Sequence, residues 1–274
     1  MPYIEVEKGI RVYVEDLDPG GGTPVLFIHG WPSNHRMFEY QFDRFPAYGY
    51  RCLGLDLRGF GQSDRPWDGY SYDRLADDVL AVVDALSLTR FILLGFSIGG
   101  AISIRYMARH AGRGVEKLAL VSAAAPVFTT RPGYPFGLQP AQVNELLSLT
   151  YQDRPKMLAQ FGSMFFNRYT SPEYMAWFTS LALEASPQAT IKCLVSLRDE
   201  DLRGDLPHIR VPTGIFAGVH DQIVPFPSAV ALAQGINGSH LYRFDNGGHG
   251  VYYDELDRFN ATLLSFFRSA SSET

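Results

Sequence analysis

The stretch FILLGFSIGG, residues 91–100, sets one hydroxyl, Ser97, between an apolar run and a pair of glycines. Phe91–Gly95 is apolar without alternation, which predicts a strand covered on both faces. A helical pattern follows over 98–110. Gly95-Phe96-Ser97-Ile98-Gly99 thus fits G-x-S-x-G, a serine on a tight strand-to-helix turn. The flanking glycines let strand and helix approach closely. The serine itself is expected in a strained conformation that lifts its hydroxyl clear of the sheet. At a helix N-terminus, free N–H groups and the helix dipole favour negative charge, which suits a nucleophile whose reaction generates an oxyanion. A nucleotide-binding turn would need G-x-G-x-x-G or a Gly-Lys-Ser/Thr, and neither is present. A tight turn with no chemistry is the alternative for the motif alone.

Working outward, YIEVE and IRVYVED alternate in period two and predict an antiparallel hairpin turning at Lys8-Gly9. VLFIHG, RCLGLDL (51–57), KLALVSAAA (117–125), TGIFAG (213–218) and HLYRFD (240–245) predict further buried strands. Helical patterns fall over 35–47, 72–87 (with Ser71 as its cap), 227–235 and 252–268. Strands alternating with helices define an α/β fold: a mostly parallel eight-stranded sheet with helices on both faces. Between about Val127 and Ile209 the rhythm breaks into a Pro/Gly-rich loop and helical patterns without a clear strand. The expected organisation is a core of residues 1–126 and 210–274 with a helical cap, 127–209, inserted into it.

A serine nucleophile needs a base, and the base needs an orienting acid. On this fold they follow in the order Ser, Asp/Glu, His. FAGVHDQIVP offers Asp221 after the seventh strand, and DNGGHGVYY offers His249 after the last. Both lie at carboxyl ends of strands, where open α/β sheets bind ligands. Asp245 is the alternative acid, although it stands too near His249 along the chain to sit behind it. The oxyanion donors expected are the N–H of Ile98, next to the nucleophile, and that of Trp31 in the loop after VLFIHG. His29 could serve as a base, but that role is already filled, so it reads as structural. Asp56, Arg58 and Asp64 in DLRGFGQSD read as loop braces, and His220 as a loop residue. Phe128, Phe165, Trp177 and Val224 are the candidate substrate-pocket walls; the three aromatic residues could equally be cap core.

Net charge is −5 with no Lys/Arg run, so neither nucleic acid nor an anionic membrane is an expected partner. No apolar stretch is long enough to span a bilayer. The N-terminal residues lack a signal-peptide pattern, which makes the cytoplasm the expected location. The two cysteines, Cys52 and Cys193, lack metal-ligand spacing, and the histidines form no HExxH. No metal and no cofactor are therefore expected.

HGWP, DLRGFGQSD, GFSIGG, DQIVPF and GGHG, in that order, resemble the α/β-hydrolase superfamily. RPWDGYSYDRLADDV, ASPQATIKC and DLRGDL narrow the resemblance to the bacterial arylesterases and perhydrolases known as cofactor-free haloperoxidases. It runs over roughly residues 24–268. The resemblance implies a carboxylesterase acting on small acyl or aryl esters, with peroxide able to replace water and Trp31-Pro32 similar to the Trp-Pro linked to perhydrolysis. Lactonases and γ-lactamases of the same group are alternatives, as is a non-catalytic receptor on the same scaffold. A homo-oligomer is compatible with the sequence. Two departures stand out: Ile98 where the family usually has Met, and Gly248 where it usually has Pro.

Overall fold

The computed structural model describes residues 2–18 and 20–269. Its strands are β1 (Tyr3–Glu7), β2 (Ile10–Leu17), β3 (Thr23–Ile28), β4 (Tyr50–Leu55), β5 (Phe91–Phe96), β6 (Val115–Val121), β7 (Thr213–Gly218) and β8 (His240–Phe244). They form one sheet in the order β1-β2-β4-β3-β5-β6-β7-β8. β1 and β2 run antiparallel, as does β2 beside β4, and every later pair is parallel. β5, flanked on both sides and fully buried, shows why its sequence carries no polar alternation.

The helices are α1 (Glu39–Phe42), α2 (Tyr72–Ala85), α3 (Ile98–Arg109), α4 (Pro140–Gly162), α5 (Pro172–Leu183), α6 (Pro187–Asp199), α7 (Phe226–Gly235), α8 (Val251–Asp254) and α9 (Leu256–Arg268). Phe27 of β3 meets Phe38, Phe42 and Phe45, while Phe216 of β7 meets Phe259 and Phe266 of α9. α1 and α9 thus share one face of the sheet, tied together by Gln41 to Asn260. Phe27 lies opposite Leu94 in register. Gly95, one residue on, therefore turns to the other face, and there it meets α3.

Three expectations from the sequence are corrected. The helix over 35–47 is instead two 3₁₀ turns, His35–Phe38 and Phe45–Tyr48, around the short α1. Pro46 at the start of the second turn cannot donate to a helix running through it. The strand over 117–125 stops at Val121, because Ser122 has φ 43° and turns the chain out of the sheet. The helix over 252–268 breaks at Glu255 (φ −120°, ψ 48°), dividing α8 from α9.

Between β6 and β7 the chain forms α4, α5 and α6. α4 is kinked at Asp153 (φ −156°, ψ 79°), two residues before Pro155. Asp153 Oδ1 accepts from the Lys156 N–H at 3.0 Å, so the helix restarts there with Asp153 as its cap, and Pro155 falls in the new first turn, where its missing N–H is not needed. The break falls between the helical stretches AQVNELLSLT (141–150) and RPKMLAQFGSMFF (154–166). Among the described residues this insertion contains isolated bridges, such as Val127 with Asp201, but no strand.

Candidate active site

The chain leaves β3 for β4 on one side and returns to β5 on the other. This reversal opens a crevice at the carboxyl ends of β3 and β5, the place where open α/β sheets take ligands. Ile28 pairs with Gly95 there, so the loop after β3 and the turn after β5 are neighbours.

Ser97 caps α3 with φ 54° and ψ −119°, a conformation in which an L-residue is strained. The turn can close only because its neighbours lack side chains. A Cβ on Gly99 would overlap the Ile28 carbonyl, and one on Gly95 would overlap the Gly99 carbonyl. Ser97 N–H donates to Val121 and its carbonyl accepts from Ala124, so β6 holds the turn on its other side.

The structure brings Ser97, His249 and Asp221 together. His249 Nε2 lies 3.0 Å from Ser97 Oγ, and Nδ1 lies 2.8 Å from Asp221 Oδ2. Asp221 Oδ1 accepts from the N–H groups of Ile223 and Val224, each at 2.8 Å. The carboxylate is thereby fixed in rotation, and Oδ2 is the oxygen left for His249. The imidazole is fully buried. Its ring sits 4.9 Å from Phe96 and 4.8 Å from Phe165. Trp31 and Ile98 N–H have no acceptor among the described residues. Such a series can move a proton from hydroxyl to imidazole, with two free N–H groups available to an oxyanion.

The loop bearing His249 explains one departure from the family pattern. Gly248 N–H donates to Asp254 Oδ2 at 2.6 Å, and the same carboxylate accepts from Asn167 at 3.0 Å and Arg168 at 3.1 Å. Burial raises the Asp254 carboxyl, and these N–H groups oppose that shift. A proline at 248 would have no N–H to give. Ser122 Oγ adds a bond to the His249 carbonyl at 2.8 Å.

Of the candidate pocket walls, Phe165 packs on His249, as described. Phe128 is buried in the loop after β6 and lines neither cavity near the site. Val224 orients Asp221 through its N–H and lines neither cavity. Trp177 rests against Tyr174, 5.2 Å between rings, on the flank of α5. The helical period gives the inner stripe to Tyr174, Phe178 and Leu181 instead. Phe178 meets Phe165 at 4.7 Å. Phe161 and Phe178 are walls beyond those expected from the sequence. Their signal was available in part: Leu158, Phe161, Gly162 and Phe165 stand at i, i+3, i+4 and i+7, an apolar face.

Two cavities lie here. One of about 350 Å³ opens between α4 and the loop after β7, among Leu146, Leu149, Phe161, Met164, Gln222 and Ile223. The other, of about 10 Å³, is bounded by Trp31, Ser33, Phe161, Phe165, Phe178 and Thr179, among others. Phe161 is the wall common to both. A wider depression of about 710 Å³ around Arg44, Tyr48 and α9 includes none of these groups. The Trp31 indole donates to the Thr190 carbonyl of α6 at 2.9 Å, tying the loop after β3 to the insertion.

Asp245 pairs with Arg243 at 2.6 Å, away from His249. His220 is exposed. Asp56 accepts from His35 and Gln62, and Asp64 from the Arg11 N–H. His29 is fully buried, with Nδ1 2.9 Å from the Gly30 carbonyl and Nε2 accepting from Leu57 N–H at 3.0 Å. Burial lowers its pKa to about 4. An unfolded histidine binds its proton near pH 6.5, so between pH 6.5 and 4 only the unfolded chain is protonated at this position. Stability therefore falls on acidification through this window, by about 3 kcal/mol from His29. His29→Gln should flatten that part of the stability–pH curve, as urea melts at pH 7 and pH 4.5 will show. An equal acid loss in the variant would contradict the assignment.

A family profile described as alpha/beta hydrolase fold matches residues 23–256. The chain belongs to the α/β-hydrolase family. It is 52% identical over 267 residues to an AB hydrolase superfamily protein of Bacillus subtilis, covering 97% of this chain and 99% of that one. An esterase from Exiguobacterium antarcticum superposes with TM-score 0.95 at 45% identity, covering 97% of this chain and 99% of its own. A bromoperoxidase from Bacillus anthracis superposes with TM-score 0.93 at 32% identity, with 97% and 99% covered. Among the described residues no helix is long and apolar enough to cross a membrane, and no cluster of three metal-ligating side chains occurs.

Proposed function

We propose that this protein is a serine carboxylesterase for small acyl or aryl esters, acting through an acyl-enzyme. The observation that carries the reading is the continuous bond series Ser97–His249–Asp221 beneath two free N–H groups. His249 takes the proton from Ser97 as its oxygen attacks the ester carbonyl. Asp221 holds His249 in the tautomer with Nδ1 protonated and stabilises its charged form. The Trp31 and Ile98 N–H groups receive the oxyanion, each worth about 3 kcal/mol in the transition state. His249 then gives its proton to the leaving alcohol and activates water against the acyl-serine.

Likeness to an esterase and to a bromoperoxidase supports a second nucleophile at this step: hydrogen peroxide in place of water, yielding a peracid. The 10 Å³ cavity beside Trp31 favours small groups. Free, buried Cys52 and Cys193 accord with action in the cytoplasm.

The test is a serine-directed aryl fluorophosphonate together with phenyl acetate turnover. One equivalent should bind covalently at Ser97, in step with loss of turnover. Labelling elsewhere, or full labelling with turnover intact, would overturn the reading. Tight ester binding without turnover would identify a receptor instead.

A further inference from the structure

Ser33 stands two residues beyond Trp31, in a turn closed by its own N–H to the Gly30 carbonyl at 2.9 Å. It is 3% exposed, and its hydroxyl has no hydrogen-bond partner among the described residues. Three other buried serines are satisfied, Ser103 by the Gly99 carbonyl, Ser122 by that of His249 and Ser196 by that of Tyr70; Ser228, which likewise lacks a partner among the described residues, lies on α7 and lines neither cavity near the site. A buried hydroxyl without a partner is unfavourable, so such a group calls for an explanation outside the fold. Ser33 lines the 10 Å³ cavity, whose other walls are chiefly apolar: Leu158, Phe161, Phe165, Phe178 and Ala182. The cavity thus offers room for about one heavy atom and one strongly placed polar group.

That cavity also touches Trp31, whose N–H meets the ester carbonyl oxygen in the reaction above, and Phe165, whose ring lies on His249. A group reaching it must be attached close to the carbonyl carbon. We propose that Ser33 is a specificity-determining residue that hydrogen-bonds a hydroxyl on the carbon next to the ester carbonyl, so that the enzyme favours short 2-hydroxyacyl esters. The hydroxyl suits either partner role, because Ser33 Oγ both donates and accepts. An alkyl group of the same size would fill the cavity and leave Ser33 without a partner. The proposal rests on the esterase reading and adds the acyl class to it.

The test compares phenyl 2-hydroxyacetate with phenyl propanoate, which have equal numbers of heavy atoms. The ratio of their kcat/KM values is measured in the wild type and in Ser33→Ala, which cancels the intrinsic reactivity difference of the two esters. The ratio should fall about three- to tenfold in the variant, the size of one neutral hydrogen bond. Because the removed hydroxyl has no partner in the fold, Tm should not fall. An unchanged ratio with both esters still hydrolysed overturns the role of Ser33 and leaves the esterase reading standing. Hydrolysis of neither ester by the wild type overturns both.

Discussion

Ser97→Ala is expected to lower kcat for a short aryl ester by roughly 10⁵- to 10⁶-fold while the protein stays folded. The substitution keeps the Cβ, so the strained turn at φ 54° is unchanged, and among the described residues Ser97 Oγ bonds only to His249. Asp221→Asn should cost less, roughly 10⁴-fold, and for a particular reason. Oδ1 of Asp221 already accepts two N–H groups, from Ile223 and Val224. An asparagine must keep its carbonyl oxygen there, which turns its NH₂ towards His249 Nδ1. A donor at Nδ1 forces the imidazole proton onto Nε2, where it faces Ser97 and can no longer accept. The geometry stays intact while the tautomer is wrong. Burst and steady-state rates with phenyl acetate will measure both variants, with circular dichroism as the folding check. A Ser97→Ala enzyme within tenfold of wild type would remove Ser97 as nucleophile.

Much of this site is visible in the chain because it sits at the ends of regular elements. G-x-S-x-G declares itself through its setting, an apolar strand followed by a helix. Asp221 and His249 follow β7 and β8 directly, so the topology fixes their positions. Walls contributed by the insertion are a different matter. Trp177 and Phe178 are adjacent aromatics on α5, and sequence cannot say which faces inward until the rotation of the helix is set by packing. Tyr174 against Tyr253, with rings 3.8 Å apart, belongs to the contacts on that inner stripe. Ser33 is not legible in the chain for a related reason: a missing hydrogen-bond partner is a property of three dimensions and leaves no trace in residue order. The broken helix after residue 35 illustrates the converse case. Its apolar residues have helical spacing, but they are there to cover Phe27, and short turns do this as well as one helix.

Arg58 presents the largest expected stability effect. DLRGFGQSD looks polar and loop-like, yet the Arg58 side chain is 1% exposed. Its Nε and Nη2 bond both oxygens of Asp78 on α2, at 2.6 and 2.7 Å, and Nη2 also reaches Glu7 of β1 at 3.0 Å. One residue thus fastens the loop after β4 to a helix and to the edge strand. Burial pushes the Asp78 carboxyl up, and the Arg58 guanidinium opposes that shift. Arg58→Met would leave Asp78 buried with only Arg74, at 3.1 Å and with its side chain 28% exposed. Breaking one side of a buried pair costs about 3–5 kcal/mol, so Tm should drop by roughly 10 °C. The pair itself need not be net stabilising, since desolvating two charges offsets most of their attraction. Adding Asp78→Leu to Arg58→Met should therefore recover most of the loss. Thermal melts of both single variants and the double variant measure the coupling directly. Additive losses would mean that the two side chains act independently, and that the cost lies in lost packing of the arginine stem.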